Sequence, residues 1–132
     1  MYRQLITAFS ALSLSASAMS EPAFGTWQTE PDDNGNYGHI VVSPCADKLC
    51  GELVQSFSVN GEVLESENIG RNIIWDMTAI GDGRYDGGKI WSPDRDKTYK
   101  SKMELVDDGN GLAVEGCILF VCRDGGTWRR VK

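Results

Sequence analysis

Thr98-Tyr99-Lys100-Ser101-Lys102-Met103-Glu104-Leu105-Val106 is the stretch that decides the fold class. Along an extended chain, Tyr99, Met103 and Leu105 point one way, while Lys100, Lys102 and Glu104 point the other. A period of two with one apolar side and one charged side marks a half-buried antiparallel strand. Working outward, residues 24–30, 37–43, 49–59, 72–80 and 84–91 before it, and residues 112–118 and 126–131 after it, read as further strands. The spacers between them are turns rich in glycine, asparagine and aspartate. They are Asp33-Asn34-Gly35-Asn36, Asn60-Gly61, Gly81-Asp82-Gly83, Ser92-Pro93-Asp94-Arg95-Asp96, Asp107-Asp108-Gly109-Asn110-Gly111 and Asp124-Gly125-Gly126. These residue types accept the positive φ of tight hairpins.

Short strands at this spacing leave hardly any room for helix. They predict an all-β chain, either a sandwich or a single antiparallel up-and-down barrel of about eight strands. Consecutive hairpins favour the barrel, because closure removes exposed sheet edges. Residues 62–71 form the one stretch that could hold a helical turn or a long loop.

The beginning of the chain carries the marks of export. Arg3 supplies a positive charge, residues 5–14 a short apolar run, and Ala16-Ser17-Ala18 a small-residue cleavage site. This pattern predicts a secretory signal peptide over residues 1–18, with cleavage after Ala18 and Ser20 as second choice. The run is too short and too serine-rich to span a bilayer, which takes about 20 apolar residues. Residues 19–132 are then expected to form one domain, with no spanning segment and no lipid-anchoring cysteine. The formal charge of −6 argues against nucleic acid as a partner.

Cys45 and Cys50 form one C-x4-C pair, and Cys117 and Cys122 a second. An even cysteine count in a small exported chain reads as a disulfide framework. Facing positions on antiparallel strands lie about 4.5–5.5 Å apart at Cα, which suits a disulfide across a hairpin. The favoured pairing is therefore local, Cys45–Cys50 and Cys117–Cys122, each stabilising by about 2 kcal/mol. A crossed pairing such as Cys45–Cys117 closes a longer loop and contributes about 4 kcal/mol, so geometry favours the local bonds where energy alone does not. A four-thiolate zinc site fits a reducing compartment better, and a C-x-x-C redox pair is missing.

No residue set specifies a reaction. His39 is the single histidine, and it lies in a strand-like run beside Ile40 and Val41. The run from Glu30 through Asp32-Asp33-Asn34-Gly35-Asn36 has a faint likeness to a calcium loop, but Val41 stands at the twelfth position where a bidentate glutamate belongs. The chain is read as non-enzymatic, with no cofactor and no metal. Aromatic residues carry more information. Most of Trp27, Trp75, Trp91, Trp128, Tyr37, Tyr85, Tyr99 and Phe120 are expected to fill a core. An eight-stranded barrel has room for packed side chains or one small ligand, however. On alternation alone, Trp75, Tyr85, Trp91, Tyr99 and Met103 are the expected lining of such a cavity.

Gly25-Thr26-Trp27 in the first strand and Trp128-Arg129-Arg130 in the last resemble the lipocalin-type (calycin) arrangement. In it, an arginine of the final strand covers the tryptophan and seals one barrel end, here Arg129 or Arg130 over Trp27. More widely, the chain resembles a family of small exported bacterial proteins classed as a domain of unknown function. The motifs are Gly25-x-Trp27, Cys45-x4-Cys50-Gly51, Gly88-Lys89-Ile90-Trp91-Ser92-Pro93 with Lys97-Thr98-Tyr99, Gly116-Cys117-x4-Cys122, and Trp128-Arg129. The resemblance implies a lipocalin-like barrel in the periplasm and brings no reaction or ligand with it. Three functions are open on the sequence. The first is a container for a small, partly apolar molecule. The second is a module that engages another envelope protein through residues 62–71 or the apolar run Ile118-Leu119-Phe120-Val121. The third is a hydrolase, which the sequence favours least.

Overall fold

Extended segments dominate the computed structural model, which describes residues 20–132. The predicted signal peptide lies outside the described residues. Nine strands occur among the described residues: β1 (Gly25–Gln28), β2 (Tyr37–Cys45), β3 (Lys48–Phe57), β4 (Val63–Leu64), β5 (Asn72–Gly81), β6 (Arg84–Ser92), β7 (Lys97–Val106), β8 (Gly111–Ile118) and β9 (Val121–Arg130). Asp107–Gly109 adds a single 3-10 turn.

Eight of these strands close into an antiparallel barrel. β1 pairs with β2, β2 with β3, β3 with β5, and β5 through β9 follow in chain order. β9 then returns to β1, with Trp27 opposite Arg130 and Gln28 opposite Arg129. β4 stands apart and pairs with the end of β3, placing Leu64 opposite Ser56. Residues 62–71, expected as a loop or helical turn, thus hold this short strand and a series of turns. β9 also starts five residues earlier than its composition suggests. Asp124-Gly125-Gly126 is a bulge inside the strand, with the Asp124 carboxylate accepting from the Gly126 N–H at 2.8 Å.

Both disulfides are local, Cys45–Cys50 with Cα atoms 5.6 Å apart and Cys117–Cys122 with Cα atoms 4.0 Å apart. They sit on hairpins at opposite ends of the barrel, because β2 and β8 run in opposite directions along it.

One end is closed and packed. Trp27, Ile40, Leu49, Ile74, Met77, Tyr85, Leu112 and Val114 are each 1% exposed or less. The interior is filled by side chains from every wall, as a barrel of this size allows. Two bulges set which residues reach it. Asp76 (φ 59) is an extra residue in β5 relative to β3, where Leu49 faces Met77 while Gly51 faces Ile74. Gly87 (φ 73) is an extra residue in β6 relative to β7, where Tyr85 faces Met103 while Gly88 faces Ser101. A left-handed residue in each strand reverses the sidedness of everything beyond it.

Candidate ligand-binding site

The closed end is built by three segments converging on Trp27. Its indole N–H donates to the Ala23 carbonyl at 2.8 Å, which folds residues 20–24 under the barrel. The Arg130 guanidinium lies 4.3 Å from the centre of the Trp27 ring. It also donates to the carbonyls of Gly109, Phe24 and Pro22 at 2.9, 3.0 and 2.6 Å. A planar cation on an indole face, with its donors satisfied by carbonyls, is a stacking arrangement that lysine cannot reproduce. Arg130 is therefore the arginine that covers Trp27. Arg129 is one position out of phase, opposite Gln28, and is exposed. Trp128 is buried beside Leu112, its partner on β8.

The opposite end is different. Gly116 stands opposite Ser101, which is 2% exposed, so both belong to the inner face. A Cβ built on Gly116 would lie 3.7 Å from Ile90 Cγ2 and 3.7 Å from Tyr99 Cβ. Ile90 and Tyr99 are themselves partners across β6 and β7. Ile90, Tyr99 and Gly116 thus face one another inside the barrel, yet each is only half-buried. Arg123 stands opposite Gly116 on β9, so its side chain leaves the same face. Ile118 and Val121, the next pair toward the hairpin tip, continue that face and are 60% and 61% exposed. The barrel is packed below, while at this end its inner-face residues are only half-buried.

The five residues expected to line a cavity divide by these bulges. Tyr85 and Met103 are opposite each other, buried in the packed part of the interior. Tyr99 is at the open mouth. The inward orientation expected of Trp75 and Trp91 is corrected. Beyond the bulge at Gly87, Gly88 and Ile90 take the inner face and Trp91 the other, where it is nonetheless buried, 6% exposed, opposite the exposed Thr98. Arg71 covers the Trp91 ring at 3.3 Å, and Asp96 accepts from its indole N–H at 2.9 Å. Trp75 pairs with Lys89 on the same outer side, while its neighbour Ile74 is completely buried. Consecutive isoleucines at 73 and 74, followed by Gly87-Gly88, were the signals that alternation fails here. Arg123 carries no signal of its own in the sequence, since it borders residues that compose like a turn.

Two depressions of the described surface lie away from this end. One of about 650 Å³ is lined by Val54, Gln55 and residues 63–69 beside β4. Another of about 740 Å³ lies between Glu30, Asp107, Thr127 and Arg129. Glu115, Cys117 and Cys122 cluster within 4.8 Å, but the two sulfurs are bonded to each other and offer no thiolate to a metal. His39 shares a 3.1 Å hydrogen bond with Gln28 and leans on Phe57, their rings 4.6 Å apart. Burial, and then the charge of Lys132, hold its pKa below 6.5.

The motifs, the Trp27–Arg130 seal and the closed sheet converge with a family-level match. The family described as "Uncharacterized protein conserved in bacteria (DUF2147)" matches over residues 25–130. The chain belongs to the DUF2147 family. No curated protein matches it. Among solved structures, the DUF2147 chain is similar to protein HP1028 from the human pathogen Helicobacter pylori, described as belonging to the lipocalin family. The two share 17% identity over 86% of this chain and 85% of that one, with a TM-score of 0.65. At that identity the likeness extends to the fold, a lipocalin-like closed barrel. Among the described residues, no helix is long and apolar enough to cross a membrane.

Proposed function

We propose that this DUF2147 protein is a non-enzymatic binding protein of the bacterial periplasm that takes a small, partly apolar molecule into the open mouth of its barrel. One observation carries this reading: Ile90, Tyr99 and Gly116 face inward yet stay half-exposed. Half-exposed apolar side chains on the inner face of a barrel are what a ligand pocket offers. The packed core below limits the ligand to the upper part of the barrel. Two disulfides, compatible with an oxidising compartment, support the location.

Native mass spectrometry of the protein recovered from its own cells tests the reading. A species with added mass that is shed on collisional activation is expected; uniformly ligand-free protein overturns it.

A second reading has its own observation. Leu119 and Phe120 are 86% and 101% exposed at the tip of the β8–β9 hairpin, which Cys117–Cys122 holds rigid. Protruding apolar residues on a stapled turn suit insertion into another envelope protein. Crosslinking in cells, comparing the native chain with a Leu119→Ser, Phe120→Ser variant, tests this role. An unchanged crosslinking pattern eliminates it.

A further inference from the structure

We propose that the ligand of the open mouth is an amphiphilic acid, one anionic group on an apolar body, and that Arg123 receives the anion. This rests on the reading of the mouth as a ligand site and adds the class of molecule.

The argument starts from an imbalance of charge. The chain is acidic overall, with a formal charge of −6. At the rim of the mouth, however, the register places Arg123, an exposed residue, opposite Gly116 and on the same face as Ile90 and Tyr99. The ion pairs among the described residues are Arg84–Glu104 and Lys102–Glu115, and Arg123 takes part in neither. Its neighbour Asp124 directs its carboxylate to the Gly126 N–H instead. Arg123 therefore presents its full fork of donors, the geometry that recognises a carboxylate, sulfonate or phosphate.

The surroundings say what the anion must be attached to. Gly116 has no side chain, so Arg123 is flanked on this face by the apolar pair Ile90–Tyr99, 3.7 Å from where a Cβ at Gly116 would stand. Ile118 and Val121 extend the same face beyond the rim. A bare inorganic anion would gain nothing from these apolar walls, and a neutral hydrocarbon would leave the guanidinium unused. A molecule with one charged end and one apolar end satisfies both. Such acids come from two sources, lipid breakdown or free aromatic acids, and the chemistry at Arg123 is common to them.

Calorimetric titration of the full mature chain with decanoate, decanol, decyltrimethylammonium and phenylacetate tests the assignment. Decanoate is expected to bind about fivefold more tightly than decanol, as a partly exposed charge-assisted contact provides, and the cation to bind least. Arg123→Gln is expected to remove that difference while leaving decanol unchanged. Gly116→Leu, which sets a branched side chain against Ile90 and Tyr99 without changing a charge, is expected to abolish both, with near-ultraviolet circular dichroism reporting a native fold. Phenylacetate binding with the same Arg123 dependence supports the proposal and points to aromatic acids, while its absence alongside bound decanoate points to lipid-derived ones. Equal affinity for decanoate and decanol, or an unchanged ratio in Arg123→Gln, overturns the anion assignment and leaves the mouth as an apolar site. If none of the probes binds, the mouth reading falls and the assignment with it.

Discussion

The Tyr85 hydroxyl donates to Glu21 Oε2 at 3.1 Å and ties the buried floor of the barrel to the segment that precedes β1. The phenol is 1% exposed. Burial, then the Glu21 charge and this hydrogen bond, push its pKa from 10.0 up to about 12. An acid whose folded pKa is raised stays neutral when folded and ionises first when unfolded. Its contribution is complete below pH 10 and is lost as pH rises toward 12. Urea unfolding at a series of alkaline pH values is expected to show stability falling across that window. Tyr85→Phe should flatten the fall; an identical slope in the variant would refute the role of this group.

Arg130 stabilises the closed end through both its stacking and its three carbonyl contacts. Arg130→Met is expected to cost about 3 kcal/mol, since carbonyls lose a charged donor and Trp27 loses its cover. Arg130→Lys should recover less than half of that, because one ammonium cannot stack and reach all three oxygens. Arg129→Met, on the exposed outer side, should stay within about 0.5 kcal/mol. Chemical denaturation of the three variants decides the matter, and equal losses at 129 and 130 would contradict it.

Each disulfide closes a short loop, so replacing either pair by serine is expected to cost about 2 kcal/mol. The bonds lie at opposite ends of the barrel, and the two losses should add. Cys50 is 6% exposed whereas Cys122 is exposed. Under mild reductant, mass spectrometry is expected to find Cys117–Cys122 opening first. The reverse order would show that burial does not govern access here.

Two inner-face glycines are expected to respond unequally to one added methyl group. A Cβ at Gly88 would lie 2.5 Å from Met77 Sδ and 2.8 Å from the Trp75 carbonyl oxygen, a backbone atom that cannot step aside. Gly88→Ala should cost about 1–3 kcal/mol through overpacking. At Gly116 the contacts begin at 3.7 Å, and Gly116→Ala should stay within about 0.5 kcal/mol. Thermal unfolding distinguishes them. Similar shifts at both sites would mean the mouth is as tightly packed as the core.

Much of this architecture is legible in the residues themselves. β7 alternates cleanly because its inner face meets a core and its outer face meets water, with Ser101 its one buried polar residue, bonded to the Glu115 carbonyl at 2.7 Å. The cysteine spacing gives the disulfides because a hairpin places such pairs side by side. The choice between Arg129 and Arg130 was not readable, since it depends on how the last strand meets the first across the closure. Trp75 and Trp91 fall on the other face from Ile74 and Ile90 for a related reason: one left-handed residue upsets a count that alternation assumes unbroken. The mouth was hidden as well, because openness is a property of what fails to cover a residue.

The extra residues at Asp76 and Gly87 lie on adjoining strands, and between themselves those strands keep a constant register from Ile74↔Ile90 to Ala79↔Tyr85. Insertions and deletions in this hairpin are therefore coupled. Dropping one of the two would turn the remainder of its strand inside out against its partner, whereas dropping both together would conserve their mutual alignment. Natural length variation here should come in matched steps, one residue on each side of the turn.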